Sequence, residues 1–344
     1  ILLSNKRKGA VSFTNGILRN INRNRNKYKL PDRNKELKKH LSIKYSYPVW
    51  IVERYIKQYG PKKAEMIIEA GNKRSGVIYR HNSLKKKKKE FINLLKKENI
   101  EYQKTFLDSF YKLIKVDDPS QTEVFKRGGA YIQGSSAGLA SLLLDVKKGM
   151  DVLDLAAAPG GKTTHLAELM GNTGQITALD INQNRLNLIK ENVKRLGVSN
   201  VKLKQADAAN YRDDQKYDRI LADLPCSGLG LISAKPEIKW QKDESIIKKM
   251  SELQYAILNN NLKKLKTGGK LLYSTCTLTE EENQNLIDQL IDENKNLKLL
   301  DINEKIKEIT NLDIENNNRY AEILPGEVDS EGFFYEKKKK MESD

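Results

Sequence analysis

The stretch Asp154-Leu-Ala-Ala-Ala-Pro-Gly-Gly-Lys-Thr-Thr164 decides the fold. An apolar, strand-like run, Val152-Leu-Asp-Leu155, leads into it. A helical pattern leaves it, Thr163 to Met170, with Leu166, Leu169 and Met170 apolar. Between them, Gly160 and Gly161 allow a backbone to approach a ligand closely, and the next helix offers free N–H groups. Lys162-Thr163 after glycines suggests a P-loop, but Ala156 stands where that motif needs a glycine, and G-x-G-x-x-G is absent. An NTPase is therefore a weak reading.

Outward from this turn the chain alternates. Strands are expected at Gln175–Asp180, Val201–Lys204, Tyr217–Asp223 and Lys270–Ser274, with helices at Arg185–Leu196, closed by Gly197, and at 245–266. This predicts an α/β, Rossmann-like domain with a parallel sheet covered on both faces. Ligands in such sheets bind at the carboxyl ends of the strands. Asp180 follows Gly161 by 19 residues and ends a strand. An acid there accepts hydrogen bonds from both hydroxyls of a ribose. Asp207, after the third strand, is placed for an adenine amino group, although alone it reads as a cap. Asp223 ends the fourth strand. Three strand-end acids and a glycine turn describe an adenosyl crevice, and S-adenosylmethionine is the cofactor expected.

The chain has two cysteines, and each lies just past a strand: Cys226 in Asp223-Leu-Pro-Cys-Ser-Gly228, Cys276 in Leu271-Leu-Tyr-Ser-Thr-Cys-Thr277. One such residue reads as a small buried hydrophobe. Two at the ligand edge, on strands expected to be neighbours, can converge. A redox pair remains open, but two cysteines make no disulfide framework and fit a reducing cytoplasm. The three histidines, His40, His81 and His165, lie in no metal spacing, so no metal is expected. A thiolate beside a methyl donor suits cytosine C5. Addition to C6 makes C5 enamine-like, and elimination afterwards frees the thiol.

The net charge of +17 is uneven. Residues 1–90 carry 25 Lys and Arg against 6 Asp and Glu; residues 91–344 carry 37 against 39. A Lys- and Asn-rich composition accounts for part of this, but the asymmetry favours a polyanionic partner. No apolar run reaches the length of a membrane span, and the charge order at Ile1-Leu-Leu-Ser-Asn-Lys-Arg-Lys8 is not that of a signal peptide. The chain begins at Ile1, not Met, which reads as a fragment. Residues 10–25 read as one helix, the end of something larger. Residues 34–72 read as two or three helices broken at Pro48 and Gly60-Pro61. From Gly76 a small α/β unit is expected: strands Val77–Arg80, Ile100–Tyr102 and Tyr111–Val116 around a Lys-rich helix, Leu84–Glu98.

Together these motifs resemble the Sun/Fmu (RsmB-like) family of RNA (cytosine-5)-methyltransferases. Leu155-Ala-Ala-Ala-Pro-Gly-Gly-Lys162 is similar to the family's cofactor loop, Asp223–Gly228 to its Pro-Cys motif and Ser274-Thr-Cys-Thr277 to its Thr-Cys motif. Lys235-Pro-Glu-Ile-Lys-Trp240 resembles the segment after Pro-Cys, and Glu331-Gly-Phe-Phe334 the closing strand. The resemblance implies Cys276 as nucleophile, Cys226 as the release-assisting thiol and Asp223 in the catalytic set. It implies cofactor contacts from Ala156, Ala157, Ala158, Pro159, Gly160, Gly161, Lys162, Asp180, Arg185, Asp207 and Asp223.

Phe13–Asn20 looks like the end of a NusB-like helical domain. His40–Pro48 and Arg80-His-Asn82 look like the linker and small RNA-binding subdomain of the family's bacterial 16S ribosomal RNA enzyme. The implied organisation is 1–30, a NusB-like remnant; 31–75, a helical linker; 76–125, the RNA-binding subdomain; and 126–344, the catalytic domain. Ser233-Ala234 stand where the family often has two arginines, and Gly134 where an acid is usual, a change expected to loosen the pocket's roof. The expected function is methylation of cytosine C5 in 16S ribosomal RNA, or its small-subunit precursor, by a cytoplasmic monomer without membrane attachment. The alternatives are a transfer RNA substrate and a non-catalytic RNA-binding or assembly protein.

Overall fold

In the computed structural model, the glycine turn joins a short buried strand to a helix, as its sequence dictates. The structure describes residues 8–27, 29–312, 314 and 319–342. The chain divides into two compact units, Ile1–Ile68 and Glu69–Asp344. The first seven residues of the expected 1–30 segment, and the last two of the chain, lie outside the described residues.

In the first unit, α1 (Lys8–Arg23) is amphipathic and leaves Phe13, Ile17, Leu18 and Ile21 exposed. Helix α2 (Leu37–Tyr45) ends on Ser46 in the left-handed region (φ 56°). Helix α3 (Val49–Gly71) starts behind Pro48 and is interrupted at Gly60 (φ 76°, ψ 165°), before Pro61. Both expected breaks are present, and proline chemistry accounts for them.

The second unit opens with a four-stranded antiparallel sheet: β1 (Ile78–His81), β2 (Glu101–Lys104), β3 (Phe110–Ile114) and β4 (Ala130–Ile132), in the order β2-β3-β1-β4. Helix α4 (Lys88–Lys97) follows β1, and α5 (Glu123–Lys126) precedes β4. Helix α4 starts four residues later than the sequence suggested. The amides of Lys85 and Lys86 bond the Asn82 carbonyl in a turn (3.3 and 3.2 Å), which delays the helix.

After α6 (Ser135–Leu143), the chain alternates β5 (Asp151–Asp154), α7 (Gly161–Leu169), β6 (Gln175–Asp180), α8 (Gln183–Leu196), β7 (Val201–Gln205) and β8 (Tyr217–Asp223). Helices α9 (Ile238–Gln241) and α10 (Ser245–Leu262) precede β9 (Leu265–Thr275), followed by α11 (Gln284–Glu293), β10 (Leu297–Leu300), α12 (Asn303–Thr310), β11 (Ala321–Ile323) and β12 (Phe333–Lys340). The sheet order is β10-β12-β9-β8-β5-β6-β7, with β11 on β12. Strands β5 to β9 are parallel to their neighbours, but β12 is antiparallel to β9, β10 and β11. The sheet is therefore mixed, where a parallel one was expected. A closing strand at Glu331–Phe334 was implied by the resemblance, but neither its antiparallel direction nor its extension through four lysines was. Lys338 is nevertheless fully buried in an ion pair with Glu336, and the Lys340 Nζ reaches the Leu265 carbonyl (3.1 Å).

Alternating strand residues divide between two apolar layers. Val152, Ile176, Leu221 and Leu272 pack with Leu139, Leu166 and Met170. Leu153, Leu179, Ile220 and Leu271 pack with Ile257, Leu258 and Leu262 of α10. Each fully buried leucine or isoleucine contributes on the order of 2 kcal/mol. The strand order reverses between β5 and β8, so the crevice opens at their carboxyl ends.

Candidate active site

Asp154 and Asp223 end the two strands at the reversal, and the glycine turn begins two residues past Asp154. Gly160 adopts φ 98°, and a Cβ there would lie 3.1 Å from Ile189 Cγ2, so the turn and helix α8 approach at glycine distance. A cavity of about 240 Å³ opens beside it. Its lining includes Ala156, Ala158, Asp180, Arg185, Asp207 and Asp223 of the expected cofactor residues, with Ile181, Leu253 and Ile257 as apolar walls. Ala157, Pro159, Gly160, Gly161 and Lys162 do not line it.

Asp180 is 3 % exposed. Its Oδ1 accepts from the Asn182 amide (3.0 Å), and its Oδ2 pairs with Arg185 (3.4 Å), which also donates to the Ala158 carbonyl (2.9 Å). Asp207 also caps its own turn, accepting from the Ala209 amide (3.0 Å) and the Asn210 side chain (2.6 Å). A carboxylate for vicinal hydroxyls, apolar walls for a flat base and a bare-backbone turn are what an adenosyl ligand requires. The site fits S-adenosylmethionine.

Strands β8 and β9 are parallel neighbours in register, Asp223 opposite Ser274. The turns beyond them therefore meet, and Cys226 Sγ lies 3.1 Å from Cys276 Sγ. Both thiols are free and partly accessible. The contact with Cys276, followed by burial, raises the Cys226 thiol well above its ordinary value, so Cys226 keeps its proton. The loops touch at glycine as well. The Gly230 amide donates to the Cys276 carbonyl (3.0 Å), and a Cβ on Gly230 would lie 2.4 Å from the Gly332 carbonyl.

Lys162 points to the thiol side. Its Nζ donates to Asp223 Oδ2 (2.6 Å), while Ser274 Oγ donates to Asp223 Oδ1 (2.8 Å). Burial alone would depress the Lys162 ammonium, but Asp223 outweighs it, with further help from Cys276 and Asp154, and the pKa is raised. Asp154 is 1 % exposed, and burial lifts its carboxyl to about 7 despite the bond from Thr163 Oγ1 (2.7 Å).

Several supports have no counterpart among the expected residues. Arg80, 1 % exposed on β1, reaches out of the small sheet. It donates to Gln133, to the Gly161 carbonyl (2.6 Å) and to Thr164 Oγ1 (3.1 Å), and it pairs with Glu168 (3.4 Å). It thus clamps the start of α7. Glu282, fully buried, accepts from the Ser227 amide (2.8 Å), Gln254 (3.0 Å) and Thr279 Oγ1 (2.8 Å), while Asn283 accepts from Thr275 Oγ1 (2.6 Å) and donates to the Thr277 carbonyl (3.1 Å). The two residues brace both cysteine turns. The one sequence signal was an acidic run, Glu280-Glu281-Glu282, beginning four residues after Cys276, which resembles a solvated helix start.

Gly134 and Ser233 also take on structural meaning. A Cβ at Gly134 would lie 2.6 Å from Glu331 Oε2, so the Glu331 carboxylate occupies that space. Ser233 Oγ accepts from Ser75 Oγ (2.8 Å). Among the described residues, no group of three or more His, Cys, Asp or Glu is placed to hold a metal ion, and no helix is long and apolar enough to cross a membrane.

Fold and site define a Rossmann-like, S-adenosylmethionine-dependent methyltransferase joined to a small α/β subdomain. Residues 141–339 match the family described as 16S rRNA methyltransferase RsmB/F, and residues 47–112 match a RsmF/B-like ferredoxin-like domain. The chain is 34% identical over 334 residues to the probable ribosomal RNA small subunit methyltransferase B of Bacillus subtilis, covering 95% of this chain and 73% of the relative. It is 33% identical to ribosomal RNA small subunit methyltransferase B of Yersinia enterocolitica, with 96% and 74% covered. Among solved structures it is similar to a methyltransferase homolog protein from Pyrococcus horikoshii (TM-score 0.74, 31% identity, 88% and 98% covered). It is also similar to NSun6 from Pyrococcus horikoshii with SFG (TM-score 0.77, 26% identity, 87% and 100% covered). The chain belongs to the 16S rRNA methyltransferase RsmB/F family.

Proposed function

We propose that this protein methylates C5 of a cytosine in 16S ribosomal RNA through a covalent adduct between Cys276 and C6. The observation that carries this reading is the meeting of Cys226 and Cys276 beside the Lys162–Asp223 pair, at the edge of the adenosyl cavity. S-adenosylmethionine supplies an electrophilic methyl group when bound. Asp180 holds the ribose and Asp207 the adenine edge, with Arg185 strapping the turn.

The Cys276 thiolate adds to C6, which places the electron pair of the C5–C6 double bond at C5 for attack on the methyl. The Lys162 ammonium lies on the thiolate's side and offsets its charge, and Asp223 keeps the ammonium there. After transfer, water takes up the C5 proton, the C5–H electron pair re-forms the C5–C6 double bond, and the C6–S pair leaves with the Cys276 sulfur. Cys226, still protonated and in contact with that sulfur, donates to it as it departs. The cation-rich first 90 residues hold phosphates, and the cytosine enters unpaired. The setting is cytoplasmic, and the protein acts as a monomer on the small-subunit RNA or its precursor.

Bisulfite mapping of ribosomal and transfer RNA from a deletion strain tests the substrate. Loss of one 5-methylcytosine in 16S RNA is expected; loss confined to transfer RNA overturns the ribosomal assignment. Cys276→Ala should abolish methyl transfer and leave S-adenosylmethionine affinity intact, and retained activity refutes the nucleophile.

A further inference from the structure

A second cavity, of about 290 Å³, lies away from the adenosyl site. This is near the low end of the roughly 300–1,000 Å³ usual for ligand clefts, the scale of one nucleotide. Its walls come from the lead-in to β1, from β3, from the loop after Cys226 and from the loop before β12. The Ser75–Ser233 hydrogen bond joins two of these walls. The cavity also adjoins the thiol turns, because Gly332, next to Glu331 in its wall, bonds Gly230, which in turn bonds the Cys276 carbonyl.

The charges around it are only partly matched. Lys112 pairs with Asp329 (2.5 Å), and Lys73 lies 3.6 Å from Glu69. Arg74 and Glu331 both line the cavity, and neither has an ion-pair partner among the described residues. Glu331 is largely enclosed, and burial raises its carboxyl above the ordinary value. A guanidinium without an ion-pair partner at the margin and a sheltered glutamate in the wall suit a ligand with an anion at one end and an N–H donor at the other. A nucleotide has both: a phosphate, and a base with an exocyclic amino group.

We propose that this cavity seats a nucleotide of the RNA strand adjacent to the methylated cytosine, with its phosphate on Arg74 and its base amino group on Glu331. This rests on the RNA-methyltransferase reading above. The phosphate contact positions the strand, and the base contact gives a preference in sequence. Adenine, guanine and cytosine carry the amino group; uracil does not.

The test measures methyl transfer to transcripts that span the mapped cytosine, with each flanking nucleotide changed in turn to uridine. The proteins are wild type, Arg74→Ala, Arg74→Lys and Glu331→Met. Arg74→Ala should raise KM for RNA about tenfold, with a smaller change in kcat, and lower the slope of the salt dependence of binding by about one. Arg74→Lys should restore the slope. Wild type should disfavour uridine about tenfold at one flanking position, and Glu331→Met should lose that preference. S-adenosylmethionine affinity at the wild-type level certifies that each variant is folded. An unchanged salt slope in Arg74→Ala, or a flank preference that is absent in wild type or kept in Glu331→Met, overturns the subsite alone. A wild-type protein that methylates no RNA overturns the proposed function itself, and the subsite with it.

Discussion

Cys226 Sγ and Cys276 Sγ lie 3.1 Å apart although the residues are 50 positions apart in sequence, and the register of β8 on β9 sets that approach. The pair is chemically unequal. Contact with Cys276 keeps the Cys226 proton in place, so one sulfur is a standing donor to the other. Cys226→Ala should therefore leave addition intact and block release. A stable protein–RNA complex that survives denaturing electrophoresis is expected, together with at least a hundredfold loss of turnover. Full turnover in the variant, with no retained complex, removes Cys226 from the release step.

Arg80 carries a second consequence. It is a buried cation whose hydrogen bonds run from the small sheet to the start of α7. Removing one partner of a buried ion pair costs about 3–5 kcal/mol. Arg80→Met should lower stability by that order and weaken S-adenosylmethionine binding at least tenfold, because the Gly161 carbonyl loses its anchor. Arg80→Lys should rescue little, since an ammonium cannot span Gln133, Gly161 and Thr164 at once. Calorimetric titration beside denaturant unfolding checks this. Lost stability with unchanged affinity makes Arg80 purely structural.

The contrast between residues that were legible in the sequence and those that were not has a physical basis. Strands β6 and β8 have the bounds their apolar runs predict, and the strand-end position of Asp180 follows from local pattern alone. The meeting of the cysteines followed from one topological rule about neighbouring strands. Arg80 and Glu282 act across distances that local pattern cannot carry. Arg80 lies 81 positions from Gly161, and Glu282 lies 55 from Ser227. A lone arginine in a strand or a third consecutive glutamate has no periodicity to betray it. The lysine-rich end of β12 was obscured differently: its lysines look solvated, yet long stems can be buried while their ammonium groups find oxygens.

Glu282 supplies a third test. Its carboxylate satisfies the Ser227 amide, Gln254 and Thr279 inside a closed shell. Glu282→Ala leaves these donors unmet, at about 1–3 kcal/mol for each buried group. The Pro-Cys turn then loses its fixed position against Cys276. Activity should fall at least tenfold in kcat, while S-adenosylmethionine affinity holds, because Ser227, Gln254 and Thr279 do not line the adenosyl cavity. Single-turnover kinetics separates the two quantities. An equal loss in cofactor affinity points to general unfolding of the domain instead.

The pH dependence of stability turns on Asp154. Its carboxyl titrates at about 7 in the folded protein, against 3.8 when exposed, and burial is the main cause. Between those values the folded state binds a proton that the unfolded state has released. Stability from this group is therefore complete below about pH 4, declines as pH rises and levels off above about pH 7. The decline runs at about 1.4 kcal/mol per pH unit across that window, so the loss is on the order of a few kcal/mol. Asp154→Asn keeps an oxygen for Thr163 and removes the charge. The variant should match wild type near pH 4 and exceed it by several degrees in Tm at pH 8. The difference between the two proteins is the measurement, since the other titrating groups are common to both. A difference that does not change with pH means that Asp154 is already ionised in the folded protein, with Lys162 close enough to hold the charge.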